Sequence, residues 1–289
     1  MREHVPGTSW RTGDRVGGYV LAERVGTGAF AEVWRSHEER TGQEAAVKIL
    51  KPEPAARDDF QAAVAREARA LARLNGHAHV VDVYSYDLEP PVHLVMQFAP
   101  GRTLKALLDE EGRRGLGPAR TVAILDQVAL GLEAAHEHRL VHLDVTPRNV
   151  RVGPDDGVFL IDFGLVGAVD DEMLASSVIR GEGVGTARYM APERLERSLV
   201  APAFGFDVYA LGCVLHECLT GQPAFDQRSV RKIARAARRD PRPRPGDVHR
   251  SLRVFDDLVV DALAVDPADR PPSVAAFRER MAEAGARTG

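Results

Sequence analysis

Short runs of apolar and β-branched residues, separated by glycine turns, occupy the chain from Tyr19 to Leu50. The runs read YVLAERV, AEVWRSH and EAAVKIL. Runs of this length and composition are typical of β-strands, and glycine is a usual residue in the turns between strands. The pattern therefore predicts an antiparallel sheet in this part of the chain.

The spacing of apolar residues changes after these runs. Residues 58–74, DDFQAAVAREARALARL, carry apolar side chains at helical spacing, with aspartates at the end where carboxylates suit the helix dipole. Two more strand-like runs follow, HVVDVYSY and PVHLVMQF, and then the turn residues APGRTL. Beyond them the pattern is mainly helical. We therefore predict one helix inserted into a sheet, followed by a mainly helical region.

The length of the chain fits such a division. With 289 residues it is long for one core and suits two lobes that share a cleft. The change from strands to helices places the lobe boundary between Gln97 and Arg102. The expected organisation is a loose leader over residues 1–14, an N-terminal lobe over 15–98 and a C-terminal lobe over 99–289.

Composition and charge exclude several classes of function. The formal charge is −4, whereas a general nucleic-acid or membrane-surface binder would need a surplus of cations. No run approaches the roughly 20 apolar residues of a membrane span. Cys213 and Cys218 lie in the apolar run YALGCVLHECLTG and indicate buried reduced thiols, with a redox pair as the alternative. We therefore expect a soluble, cytoplasmic protein with no nucleic-acid partner and no membrane contact.

The stretch GTGAFAEV, from Gly26 to Val33, lies between two predicted strands. Its glycines would let the backbone approach phosphate oxygens without a Cβ in the way, although a glycine-rich hairpin is also a common plain turn. In the next strand, Lys48 is one of four lysines in the chain and faces burial unless an anion pairs with it. Glu67 on the predicted helix is the natural partner. Both could also be ordinary surface charges.

A second group of polar residues lies in the helical region. The stretch VHLDVTPRNV places Asp144 and Asn149 in one loop, where they offer a carboxylate to accept a hydroxyl proton and an amide oxygen to hold a metal. Thirteen residues after Asn149, the stretch IDFG adds Asp162, a second hard oxygen ligand that suits Mg²⁺ carrying a nucleotide. The segments GTARYMAPE, DVYALG and DPADRP follow. In this order and spacing, these motifs together are a far more specific signal than any one of them alone.

With these motifs, the chain resembles the catalytic domain of eukaryotic-type protein kinases, in particular the serine/threonine group found in bacteria. The resemblance covers residues 15–282. It implies an α+β, bilobal fold, in which a small antiparallel sheet with one main helix precedes a larger, mainly helical lobe. It also implies transfer of the γ-phosphoryl group of ATP, with Mg²⁺ or else Mn²⁺, to a serine or threonine of a protein substrate. The expected state is a monomer or a transient homodimer.

The resemblance assigns roles to individual residues. The catalytic roles fall on Lys48, Glu67, Asp144, Thr146 and Asn149, and the metal ligands would be Asn149 and Asp162. The residues expected to contact the nucleotide are Val25, Gly26, Thr27, Gly28, Ala29, Phe30, Val33, Ala46, Lys48, Met96, Gln97, Phe98, Ala99, Arg151 and Asp162. Within this last set, Met96 would control access behind the adenine, and residues 97–99 would form the hinge that hydrogen-bonds it.

Other residues would support the site. Glu193 and Arg270 would form a structural ion pair, and Asp207 would anchor the catalytic loop from a buried helix. Gly185 and Thr186 match the stretch that receives the residue after the phosphoacceptor. A regulatory hydrophobic column would contain His142, Phe163, Leu71 and Val83.

The chain departs from the family pattern at four positions. Ala31 replaces the third loop glycine, and Leu143 replaces the arginine that binds an activation-loop phosphate in many kinases. Thr146 stands where serine/threonine kinases usually have a lysine, and Arg151 takes the place of an apolar residue under the adenine, where its methylene stem could substitute. None of these changes removes an essential ligand or base, so an active kinase is expected. A pseudokinase that acts as a nucleotide-binding regulatory or scaffold module is the alternative, and the segment GTARYMAPE disfavours a small-molecule phosphotransferase.

Ser176 and Ser177 lie where kinases of this kind often autophosphorylate. With leucine at position 143, the usual cation that receives such a phosphate is absent, and neither Arg180 nor Arg188 is expected to tie the segment to the catalytic loop. We therefore expect the loop to be positioned by packing, and phosphorylation of the two serines to have little effect on kcat.

Two further patterns favour ordinary surface roles. The pairs His77/His79 and His136/His138 lack a third metal ligand at sensible spacing, which leaves surface or capping roles. The arginines at helical spacing in RSVRKIARAARRDPRPRP indicate a solvated face, with docking of an acidic partner as the alternative. These arginines are Arg228, Arg231, Arg235, Arg238 and Arg242.

Overall fold

The chain divides by its internal contacts into two units, Met1–Ala99 and Pro100–Gly289. The computed structural model describes residues 9–28, 30–163, 184–195 and 204–288. The strands of the first unit are β1 (Arg15–Val16), β2 (Tyr19–Thr27), β3 (Ala31–Glu38), β4 (Glu44–Leu50), β5 (Val83–Asp87) and β6 (His93–Gln97). They form one antiparallel sheet in the order β1-β2-β3-β4-β6-β5. Strand β6 begins after Pro91, which has no N–H to donate to the ladder.

One buried apolar cluster of this unit lies on one face of the sheet. It includes Leu21, Trp34, Val47, Ile49 and Val95, which alternate with residues of the other face. Leu94 and Met96 on that other face are also buried. The helices of the unit are α1 (Pro52–Ala55) and α2 (Asp58–Leu71), and a 3₁₀ turn over Ala72–Leu74 continues α2. The helix expected over residues 58–74 is therefore present, with its last turn tightened.

The second unit is mainly helical. Its helices are α3 (Leu104–Glu111), α4 (Pro118–Glu137), α5 (Val184–Ala187), α6 (Pro192–Leu195), α7 (Phe204–Thr220), α8 (Val230–Arg239), α9 (Pro245–Val248), α10 (Asp256–Ala262) and α11 (Val274–Ala286). Additional 3₁₀ turns cover Gly112–Arg114, Arg250–Phe255 and Pro267–Asp269. The second unit also contains a small antiparallel sheet, which is separate from the large sheet of the first unit. It completes the predicted α+β architecture.

That small sheet contains β7 (Arg102–Thr103), β8 (Val150–Val152) and β9 (Val158–Leu160), in this order and all antiparallel. The sequence pattern missed it and predicted only a turn at APGRTL, which contains β7. Strands of two or three residues are too short to show the alternation by which a strand is recognised.

Helix α7 forms the centre of the second unit. Almost its whole length is buried, because its own apolar residues are found on every side of the helix. At Gly212 an added Cβ would lie 2.7 Å from the Cβ of Ala262, so glycine allows α10 to pack closely. Cys213 and Cys218 are both buried and unbridged, as predicted, and burial raises the pKa of each thiol. Within the described ranges, no helix is both long and apolar enough to cross a membrane.

Candidate active site

Four of the predicted nucleotide contacts share one face of the large sheet. Lys48 lies directly opposite Val33, and Ala46 lies opposite Met96. Ala46 and Lys48 are two positions apart on β4, so their side chains point to the same face, whereas Val47 between them points into the core cluster. Ala46 and Met96 are buried, and Lys48 is half-buried. Lys48 therefore lies on the face of the sheet opposite that cluster, among apolar side chains.

The glycine-rich turn joins β2 to β3. Gly26 lies opposite Val33, and the N–H of Gly28 donates to the carbonyl of Ala31 at 2.9 Å. Neither glycine has a positive φ, and an added Cβ would come no closer to another atom than 3.6 Å at Gly26 and 3.7 Å at Gly28. The fold itself therefore does not require glycine at these two positions. Val25 and Thr27 beside them are exposed, Phe30 is half-buried, and Ala29 lies outside the described residues.

The predicted hinge follows the end of β6. The main-chain N–H of Gln97 donates to the carbonyl of Asp82 at 2.8 Å, and its side-chain oxygen accepts from the N–H of Asp82 at 3.2 Å. The guanidinium carbon of Arg35 lies 5.4 Å from the centre of the Phe98 ring, and Ala99 is buried. Glu67 belongs to helix α2, but its side chain is not among those described.

The loop between Asp144 and Asn149 is closed by the asparagine side chain. Its Nδ2 donates to the carboxylate Oδ2 of Asp144 at 2.7 Å and to the main-chain carbonyl of Asp144 at 2.8 Å. Both partners are acceptors, so the amide nitrogen must face them, and the amide oxygen is on the other branch. Asn149 is 8% exposed and Thr146, also in the loop, is 3% exposed. These bonds therefore fix the Asp144 carboxylate relative to the side-chain amide oxygen of Asn149.

Asp162 is brought to this loop by the small sheet. Val150, which follows Asn149, pairs with Leu160, and the N–H of Ile161 donates to the carbonyl of Asn149 at 3.0 Å. The two predicted metal ligands thus come from adjacent positions at the same end of β8 and β9. Asp162 has a φ of 53°, in the left-handed region that aspartate tolerates better than most residues.

Asp207 anchors the start of the loop. This carboxylate on α7 is fully buried, and its two oxygens accept from the N–H of His142 and the N–H of Leu143, both at 2.9 Å. The Nε2 of His136, at the end of α4, donates to the same carboxylate at 2.8 Å. The predicted anchoring by Asp207 is therefore present. The surface or capping role expected of His136 is wrong, because spacing along α4 does not reveal a partner on another helix.

His142 is buried in its neutral form. Burial lowers the pKa of its imidazole, and the N–H of Asp144 donates to its Nδ1 at 3.3 Å, which requires that nitrogen to be unprotonated. The His142 ring lies 4.4 Å from that of Phe163, centre to centre. These two members of the predicted hydrophobic column are in contact.

The predicted ion pair between Glu193 and Arg270 is also present. The guanidinium donates to both carboxylate oxygens at 2.8 Å, in a bidentate arrangement, and the Arg270 side chain is 1% exposed. Arg270 also donates to the carbonyl oxygens of Ala264 at 3.0 Å and Gly205 at 3.1 Å. A buried guanidinium with this many acceptors fixes helix α6, which carries Glu193, against the body of the second unit.

One contact of the catalytic loop was missed by the sequence analysis. Arg194, next to Glu193 on α6, donates from its Nη1 to the carbonyl of Leu143. Arg188 instead pairs with Asp226 at 2.8 Å. The expected positioning of the loop by packing and by Asp207 is therefore incomplete, because Arg194 also binds its main chain. Ser176, Ser177 and Arg180 lie outside the described residues.

Two other expectations are modified by the structure. The side chain of Arg151 is half-buried and donates to the carbonyl of Gly101, and burial lowers the pKa of its guanidinium. Arg242 does not belong to a solvated face, because its guanidinium donates to the carbonyls of Ala237 and Leu263. The other four arginines of that pattern are exposed.

The fold and the arrangement of the loop define a protein kinase domain. The chain matches the family model described as protein kinase domain over residues 19–281 and belongs to that family. It is 35% identical over 273 residues to the serine/threonine-protein kinase PknD of Mycobacterium tuberculosis, a match that covers 93% of this chain and 39% of PknD. It is 36% identical over 262 residues to PknH of Mycobacterium bovis, with 90% and 43% covered.

The solved structures give the same class. The crystal structure of the Mycobacterium tuberculosis PknI kinase domain superposes with a TM-score of 0.74 at 26% identity, and the match covers 96% of this chain and 100% of that one. The predicted bilobal kinase fold and the bacterial serine/threonine kinase class are thereby confirmed. The chain spans about two fifths of the length of PknD and PknH.

Proposed function

We propose that this chain is an active protein kinase, which transfers the γ-phosphoryl group of ATP to serine or threonine hydroxyls of a protein substrate. The observation that carries the proposal is the double hydrogen bond from Asn149 to Asp144. It holds the carboxylate and directs the amide oxygen away from it. One loop thus supplies a proton acceptor and a hard oxygen ligand, which are the two groups that this loop contributes to phosphoryl transfer.

The nucleotide half of the proposal rests on the sheet face that carries Lys48. The amine would pair with phosphate oxygens, and the apolar surface of Val33, Ala46 and Met96 suits the base. Gly26 and Gly28, which the fold does not itself require, would let main-chain N–H groups approach the phosphates. The pairing of Glu67 with Lys48 and the hydrogen bonds of residues 97–99 to adenine are part of the same proposal.

Asn149 and Asp162 are the residues that would hold Mg²⁺. Their oxygens are hard ligands, which Mg²⁺ and Mn²⁺ both accept, and the two residues flank the paired strands β8 and β9. A bound divalent cation would neutralise charge on the phosphate oxygens. The orientation of the Asn149 amide fits this role, because its nitrogen already faces Asp144.

Asp144 is the proposed proton acceptor. In the transfer, the substrate hydroxyl oxygen forms a bond to the γ-phosphorus, and the bond from that phosphorus to the oxygen bridging it to the β-phosphate breaks. The hydroxyl proton moves to Asp144, and Lys48 stabilises charge on the departing diphosphate. Thr146 supplies no cation where many relatives of the serine/threonine group have one, so we expect slower turnover, not a loss of function.

The experiment is a phosphoryl-transfer assay with radiolabelled ATP, a generic basic protein as acceptor, and Mg²⁺ present or removed by chelation. Asp144→Asn is the matched variant, since it keeps the shape of the side chain but cannot accept the proton. We expect metal-dependent label on serine or threonine from the wild type and at least a hundredfold less from Asp144→Asn. Equal label from both proteins would refute the role of Asp144 as proton acceptor. A wild type that is stabilised by ATP but transfers nothing would establish the rival, a nucleotide-binding regulatory module.

A further inference from the structure

The residue before Asp144 has a left-handed main chain. Leu143 has a φ of 63°, a region that leucine rarely occupies. Residues in such conformations persist only where the surrounding contacts over-determine them, and they concentrate at active sites. The contacts that hold Leu143 therefore bear on the placement of Asp144.

Two charged side chains hold the main chain of Leu143 from opposite sides. Asp207 on α7 accepts from its N–H at 2.9 Å, and Arg194 on α6 donates to its carbonyl oxygen. This carbonyl belongs to the peptide group that joins Leu143 to Asp144. The N–H of the same peptide donates to Nδ1 of His142. Both polar groups of the peptide that leads into Asp144 are thus fixed, one of them by Arg194.

Arg194 is itself delivered from a fixed element. Its neighbour Glu193 forms the buried bidentate pair with Arg270, and the N–H of Arg194 donates to the carbonyl of Ala191 at 3.1 Å. Helix α6 is therefore held in place independently of Arg194. The guanidinium can act as a tie between this helix and the catalytic loop.

The direction of this tie is the reverse of the one expected from the family pattern. There, an arginine at the position of Leu143 reaches out from the loop to receive a phosphate. Here the loop has leucine, and an arginine from the segment that follows binds the loop's main chain. Such a tie needs no phosphate.

We propose that Arg194 is a positioning residue, which fixes the Leu143–Asp144 peptide and keeps the catalytic loop ready for transfer without phosphorylation of Ser176 or Ser177. The inference rests on the proposed kinase function for its effect on rate. Its structural part, the fixing of the peptide, can be tested separately.

The test compares Arg194→Met, Arg194→Lys and Arg242→Met in phosphatase-treated protein. Arg242→Met is the matched control, because it also removes guanidinium bonds to carbonyl oxygens but lies away from the catalytic loop. We expect kcat of Arg194→Met to fall at least tenfold, about 1.4 kcal/mol of transition-state stabilisation, with KM for ATP within twofold. Lysine should restore part of kcat, since it keeps a charged donor. Arg242→Met should lower the melting temperature and leave kcat unchanged.

Amide hydrogen exchange of a peptide covering residues 142–146 supplies the second readout. We expect faster exchange in Arg194→Met than in wild type, and wild-type exchange in Arg242→Met. A wild type with no more activity than Asp144→Asn both before and after phosphatase treatment would refute the kinase proposal, and the exchange rates would still decide the role of Arg194. Activity that is lost only after phosphatase treatment would overturn the inference. Unchanged exchange in Arg194→Met would overturn the inference. So would a kcat within twofold of wild type, or equal losses in the methionine and lysine variants.

Discussion

The catalytic loop and the glycine-rich turn carry two parts of the proposed site, and the fold holds them in different ways. Most residues of the loop are buried, and its main chain is bound by Asp207, whose partner Leu143 lies 64 positions away in the chain. The turn between β2 and β3 is held by backbone pairing of strands that are neighbours in sequence, with irregularities in their register. Beside that turn, Val25 is 46% exposed.

The catalytic loop and the glycine-rich turn are therefore positioned in two different ways. When buried charged groups bind the main chain of a loop, they position the catalytic carboxylate before any substrate binds. The loop then depends on each of these partners. A strand turn with exposed side chains depends on few partners. Substitutions around the loop should therefore change both rate and stability, whereas substitutions on the nucleotide face should change activity or nucleotide affinity and leave stability nearly unchanged.

The largest effect on activity is expected from Lys48→Met. Phosphoryl transfer should fall by about 100- to 1000-fold, because the sheet face loses the cation proposed to pair with phosphate. The melting temperature should hardly change, since methionine fits a half-buried strand position between apolar neighbours. Lys51→Met, three positions further along, is the matched control and should keep wild-type activity. Wild-type turnover in a folded Lys48→Met protein would contradict the assignment of the nucleotide face.

Asp207→Asn should affect both rate and stability. An amide can accept through only one of its two heavy atoms, so at least one of the donors from His142, Leu143 and His136 would face an N–H group. We expect kcat to fall about 10- to 100-fold and the free energy of unfolding to fall by about 1–3 kcal/mol. Kinetics and urea unfolding measure the two.

His136→Gln serves as the control for that substitution. Glutamine retains a donor near the position of Nε2, so the change in both quantities should be several times smaller than in Asp207→Asn. If Asp207→Asn lowered stability alone and left kcat intact, the buried carboxylate would support the fold without positioning the loop.

Much of the fold and several site residues could be predicted because their signals are local. Alternation along β4 separates the core face with Val47 from the face with Lys48, and no knowledge of other elements is needed. The ion pair of Glu193 with Arg270 and the anchoring of the loop by Asp207 span 77 and 64 positions, and they were predicted only because the chain resembles a known family. The succession of strands and helices along the chain likewise follows from the spacing of apolar residues, a pattern that spans few residues.

What could not be predicted depends on partners far away in the chain. Arg194 binds a backbone carbonyl 51 positions away, and every residue has a carbonyl, so no residue type marks the acceptor. His136 finds Asp207 across 71 positions, and as one of two nearby histidines it was taken for a surface residue. Arg242 was placed on a solvated face because helical spacing was extended beyond the end of α8 at Arg239.

A smaller, pH-dependent effect is expected on α7, the helix that also carries Asp207. Glu217 on α7 accepts from the hydroxyl of Tyr189 at 2.5 Å, yet burial outweighs this bond and raises the pKa of the carboxyl. The folded state therefore binds this proton more tightly than the unfolded state, so the carboxyl's contribution favours folding at low pH and is lost as pH rises from its ordinary pKa of 4.5 through the raised value.

Glu217→Gln keeps an acceptor for Tyr189 but has no charge to bury. The variant should therefore melt at a higher temperature than wild type at pH 8, and the difference should shrink towards pH 4.5. Thermal melts over this range measure it. A variant less stable than wild type at pH 8 would mean that the hydrogen bond to the charged carboxylate outweighs its burial.

The smallest effect is expected at the glycine-rich turn, from Val25→Ala. An exposed valine contributes little to folding, so the free energy of unfolding should change by less than about 0.5 kcal/mol. A nucleotide bound against this strand would cover the side chain, and the loss of two methyl groups should raise KM for ATP by about three- to tenfold, with kcat nearly unchanged. Tyr84→Ala is the matched control, because Tyr84 is also a large exposed apolar residue of the first unit, at 39%, but lies on the edge strand β5. Its KM should equal that of wild type. If Val25→Ala instead lowered stability as much as Asp207→Asn, the turn would depend on side-chain contacts as the catalytic loop does, and the distinction between the two regions would be lost.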